Sequence, residues 1–312
     1  MEYRQLGRAG VRVSVIGLGT NRFGTEALPQ AEVNNVIDAA LDMGINFIDT
    51  ADMYRGGRSE ETLGVALKGR WDKVVLASKF YFPVGDGPND RGTSRYHLMN
   101  AIEASLRRLQ NDTIDLYYIH RWDETTPIEE TLRGLDDLTR MGKIRYVGVS
   151  AFAAWQLAHA KLLAEVRNWA PIVVIQSEYH MLERGAEQEI LPYCRAHGVG
   201  LIPYYPLAGG FLTGKYKRGQ PPPPGSRGES NERVQQYMTD ASYDKIEQLT
   251  AWAQAHDRGL NELALAWLMA QPQLCSVIAG ATKLTHVTSN VKAADWILTT
   301  DELDEIKVIL DS

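Results

Sequence analysis

The stretch Val74-Val75-Leu76-Ala77-Ser78-Lys79 decides the fold. Four apolar residues run without alternation, then a serine and a lysine follow. A strand with one wet face alternates apolar and polar residues. A strand buried on both faces does not, and parallel strands covered by helices read this way. Working outward, Asn46-Phe47-Ile48-Asp49-Thr50 and Ile114-Asp115-Leu116-Tyr117-Tyr118-Ile119-His120 have a related form. Further β-rich runs at 13–19, 146–150, 173–177, 200–205 and 277–280 bring the number to eight.

Amphipathic segments lie between these runs, for example at 31–43, 94–109, 128–141 and 188–196. In 128–141, Ile128, Leu132, Leu135 and Leu138 recur at helical spacing with charges between them. Gly44, Gly142 and Gly198 follow three of these segments, where glycine ends a helix. Eight strands alternating with helices predict an α/β fold, a (β/α)8 TIM barrel, as a single domain over residues 1–312. The competing open sheet would carry a glycine fingerprint. Gly17-Leu18-Gly19-Thr20-Asn21-Arg22 has Arg22 at the third glycine position, so that fingerprint fails.

Three segments depart from the alternation. Residues 3–13 hold two extended pieces around Arg8-Ala9-Gly10, a hairpin ahead of the first barrel strand. Residues 217–232 contain Pro221 to Pro224 and read as a long loop, a lid or a disordered segment. Two helical patterns, about 243–256 and 261–270, precede the eighth strand, and another spans 300–310.

Composition narrows the function. The apolar fraction of 44% and charged fraction of 23% are those of a globular enzyme. A net charge of -6 argues against nucleic acid as the main partner. The two cysteines form no C-x-x-C, and none of the seven histidines forms an H-x-H pair, so no metal site is expected. No apolar run reaches the roughly 18 residues of a membrane span, and no signal segment is evident, so the expected location is cytoplasmic.

Four polar residues stand at or beyond strand ends: Asp49, Tyr54, Lys79 and His120. Strand ends of a parallel barrel converge on one face, where chemistry is placed. Each residue alone has an ordinary reading: a turn cap, a loop aromatic, a surface lysine, a core histidine. Together they form a proton-transfer set. A lysine ammonium beside a tyrosine favours the phenolate and lowers the phenol pKa. An aspartate orients the lysine, and a histidine aims a carbonyl oxygen or relays a proton. Tyr54 is then the general acid toward a developing alkoxide. Carbonyl reduction also needs a hydride, which a nicotinamide cofactor supplies.

At this point the chain closely resembles the aldo-keto reductase superfamily, on its bacterial and potassium-channel β-subunit-like side. The resemblance is carried by residues 16–20, 44–54, Ser59-Glu60, 77–79, 114–120, 142–150 and the stretch from Gly209. It implies a barrel whose bottom is closed by an N-terminal hairpin, with NADP(H) across the top. It implies Tyr54 as proton donor, Lys79 and Asp49 as its tuning pair, and His120 as the residue that orients the carbonyl. For the cofactor it implies Gly19, Thr20 and Asp49 at the nicotinamide end and Ser150 and Gln176 on the carboxamide. Tyr204 would stack on the ring, and Leu207, Gly209 and Lys215 would follow the pyrophosphate. Gly280, Thr282, Lys283, His286 and Asn290 would take the adenosine phosphate. The sequence departs from the family pattern at Ala151, Tyr205, Lys283 and His286. Lysine lacks the fork with which arginine binds a 2′-phosphate, so NADPH is expected with NADH possible.

The partner is therefore a small carbonyl or alcohol, with Phe23, Tyr81 and Trp122 expected to wall its pocket. Arg121 either meets an anionic substrate or faces solvent. A cofactor-sensing regulatory subunit with slow catalysis is the alternative, and oligomeric state is not readable.

Overall fold

The computed structural model describes residues 1–312. Strands β1 (Tyr3–Gln5) and β2 (Arg12–Ser14) pair antiparallel, with Tyr3 opposite Ser14 and Gln5 opposite Arg12. Eight parallel strands follow. They are β3 (Ile16–Gly19), β4 (Phe47–Asp49), β5 (Val75–Phe80), β6 (Ile114–Ile119), β7 (Ile144–Ser150), β8 (Ile172–Glu178), β9 (Gly200–Tyr204) and β10 (Val277–Gly280). Their order is β10-β3-β4-β5-β6-β7-β8-β9, so sequence neighbours are spatial neighbours. A parallel bridge from Leu201 to Leu274 brings β9 against the chain entering β10 and draws the barrel nearly closed.

The expected first strand, residues 13–19, divides in two. Arg12–Ser14 belongs to the hairpin, and the barrel strand begins at Ile16. The break lies at Val15, whose N–H donates to the Glu2 carbonyl while the Ser14 hydroxyl donates to the Ile16 carbonyl. These bonds turn the chain from one sheet to the other, and no glycine or proline marks the turn.

Helices fill the crossovers: α1 (Gln30–Asp42), α2 (Arg58–Ala66), α3 (Arg95–Leu109), α4 (Ile128–Arg140), α5 (Ala154–Val166) and α6 (Ile190–His197). Between β9 and β10 lie α7 (Glu232–Gln235), α8 (Asp240–Ala255) and α9 (Leu260–Met269), and α10 (Leu284–Ala293) and α11 (Thr300–Asp311) end the chain. The α4 stripe of Ile128, Leu132, Leu135 and Leu138 is buried, as its spacing requires. Ser94 caps α3 by accepting from the His97 N–H at 3.2 Å. The 217–232 segment contains only short turns and the start of α7, and is pinned where the Gly228 N–H donates to the Tyr216 hydroxyl at 3.0 Å. No helix is long and apolar enough to cross a membrane.

Two apolar clusters hold the fold. The larger lies between strands and helices and includes Ile48, Leu76 and Ile119 against Val36, Leu63 and Leu98. The smaller fills the barrel with Phe47, Leu116, Tyr118, Val174 and Ile202, and it includes Leu6, Ala9 and Val13 from the hairpin region. Burying one such large side chain contributes roughly 1.5–3 kcal/mol. Gly148 leaves room for Tyr118, since a Cβ there would lie 2.5 Å from its ring. Gly7 has φ +59°, and its missing side chain lets the hairpin approach the Val173 carbonyl. The N-terminal mouth is thus plugged, which leaves the C-terminal mouth for chemistry.

Candidate active site

Asp49 ends β4, Lys79 lies one residue from the end of β5, and His120 follows β6 directly. Tyr54 lies on the turn after β4, where its N–H donates to the Ala51 carbonyl and its carbonyl accepts from the Ser59 N–H. Ser59 is wholly buried, and its hydroxyl is 2.9 Å from those of both Thr20 and Thr50. This knot joins the loops after β3 and β4 and fixes the start of α2.

Lys79 is fully buried. Its ammonium donates to Asp49 Oδ1 at 2.5 Å, to the Thr50 carbonyl at 2.7 Å and to the Tyr54 hydroxyl at 3.4 Å. Those three bonds match the three hydrogens of an ammonium. Gln176 donates its amide to Asp49 Oδ2 at 2.9 Å, so both carboxylate oxygens are engaged. The Tyr54 and His120 rings meet edge to face at 6.0 Å, and Phe82 packs on His120 at 4.9 Å. His120 Nδ1 is buried without a partner.

Burial governs the electrostatics. It pushes the Asp49 carboxyl up, opposed by the charge and hydrogen bond of Lys79 and by the Gln176 bond. For Lys79, burial acts against the charge, but Asp49 and then Tyr54 outweigh it and hold the ammonium above its ordinary value. Burial lifts the Tyr54 phenol above its ordinary value, and the Lys79 charge opposes that rise without reversing it. The expectation that Lys79 would bring the phenol below its ordinary value is therefore corrected: desolvation dominates. His120 is lowered well below its ordinary value by burial and then by Lys79. At neutral pH the group presents a protonated phenol, a neutral imidazole and an ammonium.

These side chains open on a cleft of 820 Å³. Tyr54, His120 and Asp49 line it, while Lys79 stays behind them. Gly19 and Thr20 line it from β3, Ser150 from β7, Gln176 from β8 and Tyr204 from β9. Leu207, Gly209 and Lys215 line the next section, and Gly280, Thr282, His286 and Asn290 the far one. Lys283 does not line the cleft; it is the N-cap residue of α10. His286 Nδ1 accepts from the Thr282 N–H at 3.3 Å, and burial, Lys283 and Lys215 lower its pKa. Ala151 and Tyr205, at the ends of β7 and β9, line the cleft with left-handed backbones, φ 53° and 63°.

The three residues expected to wall the substrate pocket lie elsewhere. Phe23 is fully buried in the core between strands and helices. Tyr81 packs edge-on against Phe82 at 5.1 Å and does not line the cleft. Trp122 packs on Phe152 and Trp155 and lines a neighbouring surface hollow. Phe82 walls the cleft instead, joined by Asn21, Arg22, Arg121 and Arg227. One position in a loop reverses which of two adjacent aromatics faces inward, and no periodicity marks it.

A dinucleotide phosphate fits this surface. A half-exposed Tyr204 ring, the buried polar Ser150 and Gln176, and cations at Lys215 and Arg227 succeed one another along the cleft.

A parallel barrel with a buried lysine–aspartate pair behind a phenol and a neutral imidazole defines a class, the barrel oxidoreductases. The chain belongs to the aldo/keto reductase family, whose profile matches residues 15–311. It is 36% identical to a probable voltage-gated potassium channel subunit beta of Oryza sativa subsp. japonica, over 100% of this chain and 97% of that one. It is also 36% identical to the uncharacterized oxidoreductase YrpG of Bacillus subtilis, over 95% and 91% of the two chains. To the L-glyceraldehyde 3-phosphate reductase of Escherichia coli K12 it is 31% identical, over 98% and 91%.

Proposed function

We propose that this protein is an NADPH-dependent oxidoreductase that interconverts small aldehydes or ketones and alcohols, acting in the cytoplasm. The observation that carries this reading is the Lys79 ammonium, held by Asp49 and Thr50 and reaching the hydroxyl of a protonated Tyr54. A nicotinamide bound in the cleft supplies the hydride. Neutral His120 donates a hydrogen bond to the substrate carbonyl and sets its direction. Tyr54 holds its proton until negative charge grows on that oxygen, then gives it up. Lys79 stabilises the resulting phenolate, and Asp49 keeps Lys79 charged and in place. Proton transfer from a positioned acid contributes roughly 10²–10⁴-fold.

Gly19, Thr20, Ser150, Gln176 and Tyr204 would hold the nicotinamide end. Leu207, Gly209 and Lys215 would hold the pyrophosphate, and Gly280, Thr282, His286 and Asn290 the adenosine phosphate, with Lys283 beside them at the start of α10. Lys283 at the N-terminus of α10, next to the cleft-lining Thr282, supports NADPH over NADH. A panel of aldehydes, ketones and sugars, followed by cofactor oxidation, tests this. Turnover with higher kcat/KM for NADPH is expected, and a higher value for NADH refutes the preference.

The relatives support a second reading, since one at 36% identity is named a channel subunit. The protein would then be an NADP(H)-binding regulatory subunit with slow catalysis. Tight NADPH binding without reduction of any carbonyl would favour it.

A further inference from the structure

Helix α5 (Ala154–Val166) is apolar on two opposite faces. Leu157, Ala160 and Ala164 are buried on the side that meets β8. At 3.6 residues per turn, Trp155, His159, Leu162 and Val166 fall within about 60° of one another on the opposite side. Trp155, Leu162 and Val166 are 62%, 59% and 73% exposed. The neighbouring α4 shows what an outer helix ordinarily offers to water: Glu129, Glu130, Arg133 and Arg140. The alternating steps of four and three residues along the α5 stripe are those of a seam between two helices. Large apolar side chains grouped on one exposed face mark a surface that another protein covers.

The two ends of the stripe differ. Beside its first residue lies a hollow of 530 Å³ lined by Trp122, Glu124, Glu129, Trp155 and His159, with no lysine or arginine in its wall. Trp122 and Trp155 meet edge to face at 5.5 Å, and Glu124 and Glu129 are exposed. Beyond the last stripe residue stands exposed Arg167, the C-cap of α5. The Lys161 hydrogen bond holds the Glu165 carboxyl below its ordinary value, and the charges of His197 and Arg8 add to that, so this end gathers cations. None of Glu124, Glu129 and Arg167 has an ion-pair partner in its own chain, although Arg140 and Lys161 on the same two helices are paired with Asp136 and Glu165.

One occupant satisfies both ends at once. A second copy with its α5 antiparallel to the first, related by a two-fold axis near residues 160–161, sets Trp155 against the partner's Val166 and His159 against the partner's Leu162. The same axis brings the partner's Arg167 to the acidic hollow, where a guanidinium meets two carboxylates and two indoles. A parallel pairing would set acid against acid. We infer that this face of α5 is a two-fold interface between copies of this chain, with Arg167 of each seated in the Trp122–Trp155 hollow of the other. Stable pairs bury about 800 Å² per partner. The stripe supplies part of that, and the hollow and the basic end must supply the remainder.

The test is sedimentation velocity on the full chain from about 1 to about 200 µM, with a dimer expected to form across that range. Leu162→Glu should weaken the dimer at least about thirtyfold. Glu129→Arg and Arg167→Glu should each weaken it at least about fivefold. The double variant should recover most of that loss, because it restores opposite charges across the two-fold. All four variants should keep the circular dichroism and Tm of the parent monomer, since each substituted residue is exposed. A chain that stays monomeric throughout would overturn the inference and leave the stripe to a different protein. So would an oligomer that Leu162→Glu leaves intact, or a double variant as weak as its two singles combined, since the ends would then not meet.

Discussion

At one mouth of the barrel, Leu6, Ala9 and Val13 pack against Phe47, Val75 and Val173, and apolar contact closes the strands. At the other mouth, the same strands end in Asp49, Lys79, Ser150 and Gln176, all buried and polar. Buried polar groups carry a cost that only hydrogen bonds or charge pairing offset. Here they are offset mutually: Lys79 by Asp49, Thr50 and Tyr54, and Asp49 by Lys79 and Gln176. The difference separates two roles along each strand. Residues at the plugged end hold the barrel together, and residues at the open end hold charge where a substrate can use it.

Substitutions at the two mouths should therefore act on different quantities. The largest effect is expected at Tyr54. Tyr54→Phe keeps the ring and removes the proton, so kcat for a reactive aldehyde should fall by roughly 10²–10⁴. Lys79→Met comes next and acts on both quantities. It leaves the Asp49 carboxyl buried without its counter-charge, and breaking such a pair costs about 3–5 kcal/mol of stability. Denaturant unfolding should register that loss while steady-state assays show reduced kcat. Intact activity in Lys79→Met would put the pair on the structural side of the comparison.

At the plugged mouth, Leu6→Ala should lower stability by about 2–5 kcal/mol through the cavity it leaves. Turnover per folded molecule should be unchanged, and a fall in kcat at a temperature where the variant is fully folded would erase the distinction between the mouths. An effect that depends on pH is expected at Asp52, on the turn after β4. It is 1% exposed, neither carboxylate oxygen has a partner, and burial followed by the Glu60 charge pushes it up to about 8. Its folded pKa lies above the ordinary 3.8, so the fold retains a proton that the unfolded chain has released. Its stabilising contribution is present below the unfolded value and is lost as pH rises through the folded one. Asp52→Asn should raise Tm more at pH about 9 than at about 5. An equal change at both would show that Asp52 does not titrate in that range.

The open mouth was legible in part. Asp49, Lys79 and His120 could be read because a parallel strand buried on both faces is an apolar run, and a polar residue at its end stands out. Tyr54 could be read from its distance to Asp49. The hairpin was legible around Arg8-Ala9-Gly10, but the break at Val15 was not, because the side-chain bond of Ser14 makes the turn without glycine or proline. Phe23, Tyr81 and Trp122 were misplaced for a related reason. Loops have no period, so a residue's direction there follows from tertiary contacts alone. The shared position of Arg22 and Arg227 was equally hidden, since they line one cleft only when the loops after β3 and β9 fold over it. The net effect on the phenol was also beyond sequence, because proximity to Lys79 is visible in a pattern and the depth of burial is not.

Tyr54→Phe tests whether the open mouth is reactive with Tyr54 as its acid. The most direct measurement compares two losses in one preparation of Tyr54→Phe, the loss of aldehyde turnover and the loss of NADPH affinity read by fluorescence. Turnover should fall at least about a hundredfold with NADPH affinity within about twofold of the unsubstituted protein. Turnover retained in Tyr54→Phe, or lost only in proportion to NADPH affinity, would contradict it.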